Sequence, residues 1–325
     1  GVMVTKNAGY SSPGPYRFPH VWIDAYCVYT NKTISGAFRG FGIPQVCWAH
    51  EVHLEELAEK LNMDSYDLRM KNSFIDGDET WTGQILESVG VKPCLEAAFS
   101  SIDWNRKRNH DGNIRRGRGI AAMQKSTVTF SAGATLKINE DGTVNVLSSA
   151  VDCGQGSNTM LGQIVAEELG VKPESVVMAP SDTDIGPFDW GTAASRVTFI
   201  LGPAIRNAAI DARNQLLERA AEQMEARPED LYVQDGKIRL KSDQGKEISI
   251  SEVYMGNHRQ GGKGTPIMGV GAHTNEVTPL DEMGHGTKPT PFWMHAAQAA
   301  EVEVDIETGN VTVTKLVGAH DVGKA

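Results

Sequence analysis

The chain has 325 residues, a formal charge of −10, 40% hydrophobic and 22% charged residues, which suits a globular protein with one large core or two. The acidic balance argues against nucleic acid as a partner, because phosphate binding needs a basic face, and no run approaches the roughly 18 apolar residues of a membrane span. Cysteines stand at 27, 47, 94 and 153 with no CxxC pair, which excludes that metal or redox site and points to reduced thiols in a cytoplasmic protein.

Residues 1–18 are rich in Gly, Ser, Pro and Tyr and read as a loop. His20 to Thr30 reads as a strand that is apolar on both faces. Then comes Ser35-Gly36-Ala37-Phe38-Arg39-Gly40-Phe41-Gly42-Ile43-Pro44-Gln45, with three glycines in the seven residues 36–42 around one guanidinium and two phenyl rings. Glycine lets backbone approach a ligand, and arginine offers a rigid fork of donors for oxyanions and polar ring edges. The same residues also fit a plain turn whose phenylalanines staple the next helix to a core. Pro44 opens that helix, which runs to about Asn62 with Val46, Ala49, His50, His53, Leu54, Leu57 and Leu61 on its buried stripe. His50 and His53 have no third ligand in reach and read as packed or solvated. Helices follow over Ser65–Phe74 and from Pro93 to about Asn109, and the basic cluster Arg106-Lys107-Arg108 with Arg115-Arg116-Gly117-Arg118 reads as a solvated helix end and loop.

A change in composition over Asp111–Arg118 places a domain boundary there, giving domains of 1–115 and 116–325. Thr135–Ile138 and Val144–Leu147 flank Asp141-Gly142 as a hairpin. The second strand leads into Asp152-Cys153-Gly154-Gln155-Gly156 and a helix over Ser157–Leu169. Val176–Ala179 is a short buried strand, and 181–190 is turn-rich. Thr192 or Ser195 caps a long helix ending near Glu225. A polar excursion over 257–291, with Gly261-Gly262-Lys263-Gly264, reads as a mobile surface loop, and Ala299–Val304 with Val311–Val317 forms a final hairpin. Both termini read as cut rather than finished.

Two further loops have the residue types of a binding site. Gly154-Gln155-Gly156-Ser157 lies between strand and helix, so its N–H groups point where an anion would lie, and Gln155 both donates and accepts. With no lysine after it, this is neither a Walker loop nor a GxGxxG. Ala193-Ala194-Ser195-Arg196-Val197-Thr198 is a helix start with small side chains, hydroxyls and a cation. Each loop by itself also fits a tight turn with a good cap.

The run Gly36-Ala37-Phe38-Arg39-Gly40-Phe41-Gly42, with Asp152–Gly156, Gly191-Thr192-Ala193-Ala194-Ser195-Arg196 and His320-Asp321-Val322-Gly323 in order, resembles the molybdenum-binding subunit of the xanthine dehydrogenase and aldehyde oxidase family. The resemblance implies an α+β fold of the two-domain molybdopterin-binding type, incomplete at both ends. It also implies a molybdopterin cofactor, in some members the cytosine dinucleotide form. Arg39, Gly154, Gln155, Gly156, Ala193, Ala194, Ser195, Arg196 and Thr198 would hold that cofactor, with Phe41 and Phe130 against the substrate. Family enzymes hydroxylate an electron-poor carbon with oxygen from water, and electrons leave through iron–sulfur and FAD domains or chains. The family's glutamate base lies in a Gly-Val-Gly-Glu run beyond the Asp-Val-Gly motif. Gly269-Val270-Gly271-Ala272 resembles that run but precedes the motif and has alanine in place of the carboxylate, so no base is assigned.

The expectation is therefore the molybdopterin-binding portion of a molybdenum oxidoreductase acting on a xanthine-like heterocycle or an aldehyde, inactive alone. Its partners would be the rest of the subunit and the iron–sulfur and FAD components, without nucleic acid or membrane. Two rivals stand beside it: a molybdenum-free assembly protein of the same fold, and an unrelated phosphate-binding enzyme using Gly154–Ser157.

Overall fold

The computed structural model describes residues 1–34, 36–102, 104–105, 110–128, 130–259 and 266–324. The fold is α+β and divides into two compact units, one of 1–127 with 277–325 and one of 128–276. This division differs from the expected boundary at 115/116, because the strand that begins there is built into the first unit and the chain returns to that unit after 276.

In the first unit, helices α1 (Val2–Ser11), α2 (Ile43–Lys60), α3 (Ser65–Asn72) and α4 (Val91–Ser101) precede strand β1 (Ile114–Ser126). In the second, β2 (Ala132–Ile138), β3 (Val144–Leu147), α5 (Ser157–Leu169), β4 (Val176–Met178), α6 (Gly202–Met224), β5 (Leu231–Gln234), β6 (Lys237–Leu240), β7 (Asp243–Ser249), α7 (Ile250–Arg259) and β8 (Ile267–His273) follow in order. The chain closes with β9 (Trp293–Asp305) and β10 (Val311–His320), back in the first unit.

The first unit's sheet runs β1-β9-β10, antiparallel throughout, with Ile120 opposite Ala299 and Ala122 opposite Ala297. Those residues pack with Leu95 and Ala98 of α4, and with Ile102 just past its end, in one buried cluster. The same unit buries a charged lock. Arg69 Nε donates to Glu51 Oε2 at 2.7 Å, Arg69 Nη2 to the Glu51 carbonyl at 3.0 Å, and Tyr16 Oη to Glu51 Oε1 at 2.6 Å. This lock explains why α2 does not bury its expected stripe. Glu51 and Ala58 face inward, while Ala49, His53, Leu57 and Leu61 are exposed. His50 packs edge-on against Tyr16, and its Nε2 is 3.5 Å from Glu51, so the histidine pair serves packing and solvent.

Two other local readings fail here. Residues 2–11 are helical rather than loop, and 20–30 join no ladder among the described residues, with Trp22, Tyr26, Val28 and Tyr29 exposed. Strand propensity is a fit to neighbouring strands rather than a backbone preference, so it cannot by itself make a ladder. The far end of the helix expected to reach Asn109, and residues 106–108 of the basic cluster, lie outside the described residues.

The second unit's main sheet has the order β4-β3-β2-β8, antiparallel except for β3–β4, and a small antiparallel sheet β5-β6-β7 lies in the same unit. Its core is an aliphatic cluster dominated by α6: Ala204, Ile205, Ala208, Ala209, Ala212 and Leu216 are all fully buried. Gly269 and Gly271 of β8 permit this approach, since a Cβ would come within 2.0 Å of the Ala208 carbonyl and 2.2 Å of the Ala204 carbonyl. The glycines of Gly269–Ala272 are thus a helix-packing surface. Within 257–291, expected as a loop, β8 and the end of α7 are regular, and 260–265 lie outside the described residues.

Candidate functional site

Four residues past the end of β3, at Val151, the two glycine-containing loops of the second unit are tied together. The Thr192 hydroxyl accepts from the Val151 N–H at 3.0 Å and donates to the Val151 carbonyl at 2.7 Å. The same carbonyl accepts from Gln155 Nε2 at 3.1 Å. Gln155 also donates to Ser157 Oγ at 2.9 Å and accepts from the Cys153 N–H at 2.6 Å, so its amide shapes the loop.

The anion at the start of α5 is the chain's own. Asp152 accepts from the N–H groups of Gly154 (2.8 Å), Gly156 (3.3 Å) and Asn158 (3.0 Å). The bonds from Asn158 and Gly154 hold its carboxyl below the usual carboxylate range. The helix N-terminus expected to face an outside anion is therefore filled, which removes the physical basis for a phosphate-binding enzyme built on Gly154–Ser157. Asp-x-Gly is the sequence signal for such a turn.

The loop pair does offer open backbone. Gly154 (φ +100°), Gly156 (φ +82°) and Gly191 (φ +112°) have nothing within 4 Å of where a Cβ would stand. Ala194 and Ser195 adopt φ +52° and +60°, successive non-glycine residues in the left-handed region, where strain marks functional segments more often than structural ones. Ala193 and Ala194 are half-buried, and Ser195 and Thr198 are exposed. The long helix is preceded by a π turn over Val197–Leu201, so neither Thr192 nor Ser195 caps it. These loops fit a bulky, flat group lying on backbone and small side chains.

Arg196 departs from expectation. Its side chain is 0% exposed, and Nη1 donates to Asp189 Oδ1 at 2.7 Å and to the Gly191 carbonyl at 3.1 Å. Nη2 donates to the carbonyls of Phe130 and Ser131, each at 3.3 Å. Its terminal nitrogens are thus engaged on protein groups, while Arg196 Nε and Asp189 Oδ2 are buried without a hydrogen-bond partner. Phe130 stacks on Trp190 at 4.6 Å between centroids and 14° between planes. The contacts of Asp189 and Trp190 were not legible in the sequence, because Asp189 pairs with Arg196 seven positions downstream and Trp190 stacks on Phe130 far upstream.

In the first unit, Arg39 is exposed on the turn before α2 and Phe41 is half-buried. Asn7 Nδ2 donates to the Phe41 carbonyl at 3.3 Å, and Gln45 Oε1 accepts from the Gly42 N–H at 2.9 Å, capping α2. Gln45 thus closes the turn, whereas the expected staple by both phenylalanines fails at Phe38, which is exposed. The His320-Asp321-Val322-Gly323 motif ends β10. His320 and Asp321 line a cavity of about 440 Å³ with Gly90, Cys94 and Asp76.

Comparison with known proteins identifies the family. The molybdopterin cofactor-binding domain family matches residues 1–73 and 97–325, and the chain belongs to that family. It is 32% identical to the xanthine dehydrogenase molybdenum-binding subunit of Escherichia coli O157:H7, over 91% of this chain and 39% of that protein. It is 26% identical to the nicotine 6-hydroxylase large subunit of Paenarthrobacter nicotinovorans, over 97% of this chain and 40% of that one. The crystal structure of the aldehyde oxidoreductase from Desulfovibrio desulfuricans ATCC 27774 superposes with a TM-score of 0.77 at 26% identity, covering 100% of this chain and 33% of that one. The chain thus spans about two fifths of the length of the curated relatives it matches. No helix among the described residues is long and apolar enough to cross a membrane.

Proposed function

We propose that this chain is the molybdopterin-binding portion of a cytoplasmic molybdenum hydroxylase that oxidises a nitrogen heteroaromatic ring, with oxygen from water. The family match over 97–325, which contains both tied glycine loops, carries the reading. The relatives named for xanthine and nicotine favour a heterocycle over an aldehyde.

Gly154, Gln155 and Gly156 would present open backbone to the pterin, with Ala193, Ala194, Ser195 and Thr198 offering small side chains and hydroxyls. In the first unit, Arg39 would offer an exposed guanidinium fork and Phe41 an apolar surface. When bound, molybdenum in its pterin supplies the redox and oxygen-transfer chemistry. Iron–sulfur and FAD components, as domains or partner chains, would carry the electrons away. No residue of this chain is assigned as general base, because Gly269–Ala272 is a packing strand. The test is metal and pterin analysis of the complex purified from its native host. Near-stoichiometric molybdenum and pterin, with iron and flavin, are expected. An assembled complex holding neither overturns the proposal in favour of a molybdenum-free assembly protein.

A further inference from the structure

We propose that Gln124 and His295, facing each other across the first unit's sheet, form a buried binding site for ordered water, independent of the chemistry proposed above.

Gln124 of β1 stands directly opposite His295 of β9, and each is 2% exposed. Opposite residues of an antiparallel pair lie on one face of the sheet, with Cβ atoms about 4.5–5.5 Å apart. Both polar atoms of the Gln124 carboxamide, and Nε2 of His295, are buried without a hydrogen-bond partner. Because the carboxamide is unpaired at both ends, exchanging its oxygen and nitrogen does not relieve it. On the other side of the imidazole, the Gly90 N–H donates to Nδ1 at 3.4 Å. A neutral ring that accepts at Nδ1 carries its proton on Nε2. Burial keeps the ring neutral by pushing its pKa down to about 4. The pair therefore presents an imidazole donor on one strand, and a donor and an acceptor on the other.

Buried polar atoms in folded proteins are nearly always paired, with other protein groups or with ordered water. The occupant here has to be neutral. An anion would be repelled by Asp321 and Asp76, whose charges reach His295, and a cation would face the Nε2–H. Water accepts from Nε2–H and still has a proton for the carboxamide oxygen, so one molecule bridges the two strands. The next pair on the same face is Ala122 opposite Ala297, each 1% exposed, and these small side chains leave room beside the two polar ones. The way in lies at the cavity of about 440 Å³, whose lining includes Gly90, Cys94 and Asp321. All three bond to His295: Gly90 to the ring, and Cys94 Sγ (4.0 Å) and the Asp321 N–H (3.0 Å) to its carbonyl. The water would thus tie β1 and β9 to the start of α4, through the ring that Gly90 holds.

The test is a crystal structure of the complex purified from its native host, at a resolution that shows ordered water, joined to calorimetry of variants. Density for a water within hydrogen-bond distance of both His295 Nε2 and the Gln124 carboxamide is expected. A dry pair, or a direct hydrogen bond between the two side chains, overturns the site. Calorimetry asks the same question by the sign of a shift. Gln124→Met keeps the length of the side chain and should lower the first unit's transition at pH 7 by about 4 °C, because it strands the water and the Nε2–H. Gln124→Met combined with His295→Leu leaves neither polar side chain behind and should recover about half of that fall. Were the pair dry, Gln124→Met would remove two bare polar atoms and raise the transition, an outcome that also overturns the site. Should the variants fail to assemble, the density in the parent complex decides.

Discussion

The two units are stabilised in different ways. The first buries ionisable side chains: Tyr16, Glu51, Arg69 and His295 are each at most 6% exposed. The second buries alanines and branched aliphatics against glycine, with Arg196 as its one buried arginine among the described residues. The first unit's stability should therefore depend on charge and pH, and the second's, apart from its buried Arg196–Asp189 pair, on volume at the scale of one methyl group.

Arg69→Ala should break the first unit most severely. It leaves Glu51 charged, buried and without its guanidinium, at a cost of about 3–5 kcal/mol, read as loss of the first unit's transition in calorimetry. The double change Arg69→Met with Glu51→Leu should recover part of that loss, since it leaves no charge behind.

The pH dependence sharpens the contrast. Burial pushes the His295 imidazole down to about 4, against the weaker opposing fields of Asp321 and Asp76. Its folded value lies below the ~6.5 of a free imidazole, so the unfolded chain binds more protons between the two. The contribution is full above ~6.5 and is lost as pH falls toward 4, on the order of 3 kcal/mol. Glu51 adds to the same trend. Burial pushes its carboxyl up, but His50, Arg69 and Tyr16 outweigh burial and hold it below its usual range, so that stability too is lost in acid. Thermal scans from pH 7 to 4 should lower the first unit's transition well before the second's, and His295→Gln should flatten much of the difference.

Gly271→Ala probes the opposite unit. The added methyl meets the Ala204 carbonyl and should cost about 1–3 kcal/mol, with no pH dependence between 4 and 7. The smallest effect is expected from Asp152→Asn at the start of α5. Its folded pKa is depressed, so its contribution is present above the unfolded carboxylate value and lost below it. A slight fall in the second unit's melting temperature at pH 7, shrinking as pH falls below the unfolded carboxylate value and gone once it passes the folded one, would confirm the cap.

The elements with strong local signals were legible in the sequence. Asp141-Gly142 marked its hairpin, and the Gly156-to-Gly170 interval bracketed α5, because turns and caps are decided by a few adjacent residues. What escaped was set by distant partners. The face that α2 buries depends on Arg69, eighteen positions beyond Glu51. The segment 20–30 has strand composition but no ladder among the described residues. At the candidate site the glycine loops stood out by composition. The burial of Arg196 did not, because a cation in a small-residue loop reads as a ligand contact until its counter-ion is located.

The Thr192 hydroxyl makes with Val151 the same pair of bonds that one strand residue makes with its neighbour, one accepted and one donated. A single side chain thus joins 151–157 and 191–195 into one mechanical body. Ordering either loop orders the other, so a ligand resting on both meets the entropic cost of fixing one segment rather than two. Thr192→Val keeps the shape of the side chain and severs that economy.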